Sequence, residues 1–298
     1  EDDDHPPEHG APAPAPQAPT PAPTPALAGR SDAWIAIGFL VVYATLDWVS
    51  FIEPFGPFGI TPWNPCTGVG FALVLLAGRR FALLLFLAPP IADVLQSQQP
   101  SMIAFHLVDA VIIGICYGLA TLLLHAPGVG FDRRLLRLRD IVLLLITAAV
   151  GAMAVACGYV AVLATVGQIA VADAASAVLR YWVGDMIGIA VVTPAILVAF
   201  DRGAVQRYSL WFWMQPLSVM LALGLVFAFT WSSRFQLFYV LFLPVFWIGI
   251  ISGLEGVCLA LVTTQIGLMI ALQTVLPGDT DITAYQVVML VLAITGLA

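Results

Sequence analysis

The side chains of this sequence that could do chemistry are acids, one histidine and one arginine placed inside long apolar segments. Asp185 lies in RYWVGDMIGIAVVTP, five residues after Arg180, and Asp109 follows His106 by three residues. Residues three apart share a helix face, whereas residues five apart do not quite do so. Because an ionised group in hydrocarbon costs several kcal/mol, Asp185 requires a water-filled cavity or partners, which we expect from other helices.

Further polar side chains fall at the same expected depth in the membrane. Asp47 and Asp93 lie near the outer ends of their segments, and Trp63 and Asn64 open another segment. One interpretation is an outward-facing cavity that binds a small ligand or a proton. The other is a set of hydrated interfacial groups and hydrogen bonds that hold helices together. The candidate ligand-binding residues are Asp47, Trp63, Asn64, Asp93, His106, Asp109, Arg180, Trp182 and Asp185.

Enzymatic and nucleic-acid-binding functions find no support in the sequence. It contains no GxSxG, P-loop, HExxH or GxGxxG motif. The four cysteines occur singly in apolar segments, which predicts buried free thiols rather than a metal site. The basic residues are all arginines in short turns and form no basic face with aromatic residues. We expect no catalytic residue, metal or cofactor, and no enzyme activity within this chain.

The composition predicts an integral membrane protein surrounded by the lipid bilayer. Of the 298 residues, 61% are hydrophobic and 10% charged, and the mean hydropathy is +0.98. The pattern predicts an all-α, polytopic transmembrane helix bundle of about 8–10 spans. These include a short helical hairpin, Cys66–Gly78 and Phe81–Val94, which must be thin, tilted or packed inside the bundle. The longer apolar runs are Ala33–Ser50, Met102–Leu124, Ile141–Val166, Tyr181–Phe200, Leu210–Thr230, Leu237–Gly253, Val257–Leu276 and Ile282–Leu297.

Arginine positions predict the orientation of these spans. If successive apolar runs cross the membrane in alternating directions, only Arg180 and Arg234 lie on one side of it. The other nine of the 11 basic residues lie on the opposite side. Short loops rich in arginine face the cytoplasm. We therefore expect both termini inside, including residues 1–30, an Ala/Pro-rich tail that cannot bury a core and should be disordered.

Four stretches resemble the first type of membrane-associated sensor domain, the MASE family. They are WNPCTGVGFALVLLAGRR, RDIVLLLITAAVGAMAVACGYVAVL, YWVGDMIGIAVVTPAILV and LPVFWIGIISGLEGVCLAL. The third is the most specific and carries the family pattern at Trp182, Gly184, Asp185, Gly188 and Pro194. The resemblance implies that residues 31–298 form an input module of the bacterial inner membrane, which precedes a cytoplasmic histidine kinase or a cyclic-di-GMP enzyme.

We therefore expect a sensory input domain that detects a ligand or a partner through the outward-facing pocket. Its expected partners are a cytoplasmic output domain or kinase, a partner membrane protein and a second copy in a homodimer, without nucleic acid. A transporter or channel for a small solute is the alternative, which would require polar residues through the inner half or paired repeats. The third hypothesis is a structural subunit of a membrane complex.

Overall fold

The computed structural model consists of α-helices and short 3₁₀ turns in the residues it describes, and no β-strand occurs among them. The tail at residues 1–30 lies outside that range, so the prediction for it stays a prediction. The described residues are 31–50, 61–96, 103–201, 210–230, 236–275 and 282–298.

The helices confirm the predicted all-α bundle. Short 3₁₀ turns occur at Arg79–Leu83, Val171–Asp173 and Gln236–Leu241. The α-helices are α1 (Asp32–Ser50), α2 (Pro65–Ala77), α3 (Leu84–Gln96), α4 (Ile103–Leu124), α5 (Leu138–Thr165), α6 (Ala174–Asp201), α7 (Leu210–Thr230), α8 (Phe242–Val275) and α9 (Ile282–Leu297).

Within the described ranges, five helical segments are long and apolar enough to cross a membrane, so the protein is a multi-pass membrane protein. Shorter apolar helices occur at Pro65–Ala77, Met214–Phe227 and Tyr285–Leu297. The five long segments are Asp32–Ser50, Phe105–Leu124, Leu138–Thr165, Val171–Phe200 and Tyr239–Ala271.

The short helix α2 belongs to the interior of the bundle. Its 13 residues give a length of about 20 Å, less than the hydrocarbon thickness of about 30 Å. Every one of these residues is buried. Of the three arrangements open to the predicted short hairpin, α2 thus adopts the one packed inside the bundle.

Helix α8 consists of two arms joined at Gly253. This residue has φ 59° and ψ −153°, which breaks the helix and is accessible mainly to glycine. Ile248 packs against Gly256, although residues eight apart lie about 12 Å apart along a straight helix. The two arms therefore fold back on each other, and the break between them falls at the boundary between the predicted runs Leu237–Gly253 and Val257–Leu276.

Helix α6 is the centre of the bundle and packs against α2, α5, α8 and α9. In the most apolar 18-residue stretch of this segment, 72% of the residues are buried, whereas 17% are buried in the corresponding stretch of α1. It begins at Ala174 rather than at the predicted Tyr181, because the stretch AASAVLR is rich in good helix formers. Its contact with α2 is close, since a methyl group on Gly188 would overlap the carbonyl oxygen of Asn64.

Contacts at helix ends divide the bundle into two faces. On one face, Arg80 forms an ion pair of 2.7 Å with Asp32, and Arg79 Nη2 donates to the carbonyl of His125 at 3.3 Å. We call this the arginine-rich face; it also carries Arg133, Arg134, Arg137 and Arg139 at the start of α5. The opposite face holds the end of α3 and the beginnings of α2, α4, α6 and α9, where most of the candidate residues lie.

Candidate functional site

Asp185 is a buried acid whose partners belong to other parts of the chain. Its side chain is 2% exposed on α6 and accepts a hydrogen bond from Asn64 Nδ2 at 2.9 Å. It also accepts one from the hydroxyl of Tyr117 on α4. These donors come from outside α6, as the spacing to Arg180 indicates, so that this carboxylate joins α4, α6 and the start of α2.

The N-terminus of α2 holds Asn64 in place for this contact. Pro65 starts the helix, a position that tolerates the missing N–H. The Asn64 N–H donates to the carbonyl of Gly184 at 3.2 Å, and the hydroxyl of Thr67 donates to the Asn64 carbonyl at 2.8 Å. The backbone thus fixes the amide before its side chain reaches Asp185.

A second group of polar side chains lies between α3 and α4. His106 Nδ1 and Asp93 Oδ2 are 2.8 Å apart, and both side chains are partly exposed. Asp109 lies one turn after His106 and interacts electrostatically with Asp93 and Asp185. Its Oδ1 is buried and has no hydrogen-bond partner in the part of the chain that the structure describes. We call Asp93, His106 and Asp109 the acid–histidine cluster.

Aromatic rings enclose this cluster on the side of α5 and α6. The ring of Phe105 contacts His106 at a centroid distance of 5.8 Å and Tyr159 at 5.6 Å. Tyr159 and Tyr181 follow at 4.8 Å. Because these rings shield the cluster from water on that side, charges in the cluster interact more strongly than they would in solution.

Helix α1 approaches the same region through Cys66. The thiol donates to the carbonyl of Tyr43 at 3.4 Å and lies 3.9 Å from Asp47 Oδ1. Tyr43 also interacts electrostatically with Asp47, Asp93 and Asp109. Asp47 therefore lies beside the cluster.

The last helix is connected to this face by Gln286. This residue is 2% exposed, and its Nε2 donates to the carbonyl of Pro62 at 3.0 Å and to that of Arg180 at 3.3 Å. Its Oε1 is buried and, as far as the described residues go, lacks a partner. A single amide thus links α9 to the segment before α2 and to α6.

The family model MASE1 matches residues 35–298. The chain belongs to the MASE1 family. This confirms the resemblance carried by the segment around Asp185, and it identifies a membrane sensor input domain of the kind found in signalling proteins, which is not itself catalytic. No curated protein and no solved structure matches the chain.

Within this MASE1 domain, most of the predicted residues lie near one another. Asn64 and Asp185 are hydrogen-bonded, the acid–histidine cluster adjoins them, and Asp47 lies alongside. Trp182 is elsewhere, because its Nε1 donates to the carbonyl of Ala149 on α5 at 3.0 Å. Trp63 Nε1 and Arg180 Nε are buried and find no acceptor among the described residues.

Two important residues, Tyr117 and Gln286, escaped the sequence interpretation. A buried tyrosine hydroxyl usually has a partner, and Tyr117 is the one tyrosine of α4. Gln286 is an amide in an otherwise apolar run, which often marks an interhelical hydrogen bond. Over the described ranges, no three His, Cys, Asp or Glu side chains are grouped closely enough to hold a metal ion.

Proposed function

We propose that this MASE1 domain senses its input at the acid–histidine cluster and passes the change to a cytoplasmic effector through α9. The observation that carries the proposal is the buried Asp109 oxygen, which has no partner among the described residues although it adjoins the Asp93–His106 pair. An unsatisfied buried carboxylate oxygen costs free energy. A ligand that supplies a donor there gains that free energy on binding.

The charge balance favours a positively charged input, of which the proton is the smallest. Three acids, Asp47, Asp93 and Asp109, lie within electrostatic range of Tyr43, whereas the contacts described above bring in one histidine, His106, which is paired with Asp93. Asp185 is a fourth acid within electrostatic range. Histidine and carboxylate pairs change charge readily with pH or with a bound cation. The cluster thus accepts positive charge more readily than negative charge.

Helix α4 provides the route from the cluster to the rest of the bundle. It carries Asp109 near its start and Tyr117 two turns later, and Tyr117 donates to Asp185. Asp185 in turn binds Asn64, and the adjacent Pro62 carbonyl accepts from Gln286 on α9. A shift of α4 would therefore act on α2, α6 and α9 together. An input moves such an equilibrium only by its different affinities for the two states.

The orientation follows from the arginine-rich face, which we place at the cytoplasm of a bacterial inner membrane. Helix α9 begins near Arg180, on the opposite face, and ends where Gly296 approaches Val245 and Leu261 close to the α8 turn. It thus runs towards the arginine-rich face, where a kinase or cyclic-di-GMP effector would receive the change. In this orientation both termini would lie in the cytoplasm. The homodimer and the partner membrane protein stay predictions.

The contacts deeper in the bundle give less support to the alternative function, transport of a small solute. The hydroxyls of Thr121 and Thr193 donate to backbone carbonyls, at 2.8 Å to Tyr117 and at 2.9 Å to Gly68. Hydroxyls used in this way stabilise helices and their packing. They do not indicate a continuous polar path.

The proposal is tested by the output of the intact receptor in cells as external pH changes between about 5 and 8, the range in which histidine changes charge. Asp109→Asn keeps the size of the side chain and removes its charge. We expect the output to lose its dependence on pH, a change of about 5- to 150-fold for an ordinary coupling free energy.

The matched control is Asp173→Asn, which removes an exposed acid before α6. It should respond as the unmodified receptor does. A normal response from Asp109→Asn, at equal amounts of protein in the membrane, would contradict the proposal.

A further inference from the structure

A small cavity of about 170 Å³ lies between α7 and the first arm of α8, the part of that helix before Gly253. An apolar cavity of about 150 Å³ holds one benzene molecule, so this space fits a ligand group the size of a single ring. The residues that line it are Met214, Gln215, Ser218, Trp247, Ile248 and Ile251.

The rim of the cavity is apolar and exposed. Trp247 is 62% exposed, Met214 48% and Ile251 43%. These residues belong to apolar helical segments of a membrane protein, so their exposed surfaces meet the bilayer. A ligand that enters between them comes from the membrane and must therefore be lipid-soluble.

The wall of the cavity offers hydrogen-bond acceptors. Gln215 is 7% exposed, and its Nε2 donates to the hydroxyl of Ser252. Its Oε1 is buried and has no partner in the ranges that the structure covers. The Ser218 hydroxyl donates its one hydrogen to the Gln215 carbonyl at 2.7 Å, which leaves its oxygen free to accept. A ligand that brings a donor recovers the free energy that an unpaired buried oxygen costs.

We propose that this cavity binds a lipid-soluble phenol, whose ring fills the space and whose hydroxyl donates to Gln215. An aromatic ring suits the walls, because rings pack favourably against the indole of Trp247 and the sulfur of Met214. The phenol hydroxyl supplies the missing donor. The site lies on α7 and α8 and does not depend on the acid–histidine cluster, which lies on α3 and α4.

The experiment compares two probes of similar size, para-fluorophenol and fluorobenzene, of which only the first has a hydroxyl. The purified full chain is reconstituted in nanodiscs, and saturable binding is measured from the broadening of the fluorine NMR signal of each probe. Empty nanodiscs give the background from partitioning into lipid. We expect para-fluorophenol to bind about tenfold more tightly than fluorobenzene, the scale of one hydrogen bond to a buried acceptor.

Two variants separate the hydrogen bond from the space. Gln215→Leu removes the acceptor, so the two probes should bind about equally. Ser218→Leu fills part of the cavity and should weaken the binding of both about tenfold or more. Thr263→Leu is the matched control, since its hydroxyl donates within α8, to Leu259 at 2.8 Å, and it lies outside the cavity lining. It should bind both probes as the unmodified chain does.

No saturable binding above that of empty nanodiscs, or equal binding of the two probes to the unmodified chain, would overturn the proposal. A preference for para-fluorophenol that persists in Gln215→Leu would overturn the role of this amide. Unchanged binding in Ser218→Leu would overturn the cavity as the site. If Gln215→Leu does not fold, the comparison of the two probes on the unmodified chain and on Ser218→Leu still decides.

Discussion

Two buried aspartates, Asp185 and Asp109, lie in neighbouring seams of the bundle and have opposite surroundings. Asp185, in the seam between α2 and α6, accepts hydrogen bonds from Asn64 and Tyr117. Asp109, in the seam between α3 and α4, keeps a buried oxygen without a partner among the described residues. Both acids are costly in a membrane, and of the two, Asp185 is the one that has hydrogen-bond donors among the described residues.

This difference assigns separate roles to the two seams. A carboxylate with good donors from two other elements stabilises the packing of those elements. A carboxylate without them destabilises the state in which it is found, and that state changes when a proton or a cation arrives. Under the proposed function, the α2–α6 seam stabilises the packing of the helices and the acid–histidine cluster receives the input.

The largest effect on stability is expected at the contact between α2 and α6. In Gly188→Ala the new methyl group would overlap the backbone carbonyl oxygen of Asn64, so the helices must separate. Overpacking usually costs about 1–3 kcal/mol, and a clash with backbone belongs at the upper end of that range. Thermal unfolding in detergent should show a much lower midpoint.

Gly118→Ala is the control for that substitution, because a methyl group on this α4 glycine meets nothing within 4 Å. It should unfold like the unmodified protein. Equal stability of Gly118→Ala and Gly188→Ala would contradict the close approach of α2 and α6 at Gly188.

A matched pair of substitutions compares the two acids directly. Asp185→Leu leaves the Tyr117 hydroxyl and the Asn64 amide without their acceptor, which should lower the free energy of unfolding by about 1–3 kcal/mol. Asp109→Leu removes an unsatisfied oxygen and should leave that free energy unchanged or raise it. Equilibrium unfolding in bicelles measures both, and a larger loss for Asp109→Leu would reverse the two roles.

The smallest effect on stability is expected at the connection to α9. Gln286→Leu removes two donated hydrogen bonds, each worth about 0.6 kcal/mol on average in membranes, and also removes a buried unpartnered oxygen. Stability should therefore fall by at most about 1 kcal/mol, while the output of the receptor becomes insensitive to its input.

Thr295→Val is a suitable comparison on the same helix, since its hydroxyl donates within α9, to Val291 and Leu292, and to no other helix in the described part of the chain. It should preserve the response. If Gln286→Leu also preserves it, α9 receives the change by another route.

Much of the fold was predictable because a membrane imposes strong patterns on sequence. The apolar runs predict the helices, and the five-residue spacing to Arg180 indicates that Asp185 pairs with other helices. The sharp turn at Gly253 falls where one predicted run ends, shortly before the next begins at Val257. These are local properties, which composition and spacing reveal.

The connections within the site were not predictable in the same way. Trp182 adjoins Asp185 in the family pattern but its indole donates to α5, since rotation about the helix axis decides its direction. The contacts of Tyr117 and Gln286 depend on which helices are neighbours. Sequence spacing within one helix contains no information on that arrangement.

The most direct test of the input measures the position of α9 while the charge of the cluster changes. Spin labels are placed by unnatural amino acids at Val150 on α5 and Val291 on α9, which are 67% and 44% exposed, and their distance is measured in nanodiscs at about pH 5 and pH 8. The account predicts a shift between the two conditions in the unmodified chain and none in Asp109→Asn. An equal shift in both proteins would contradict it.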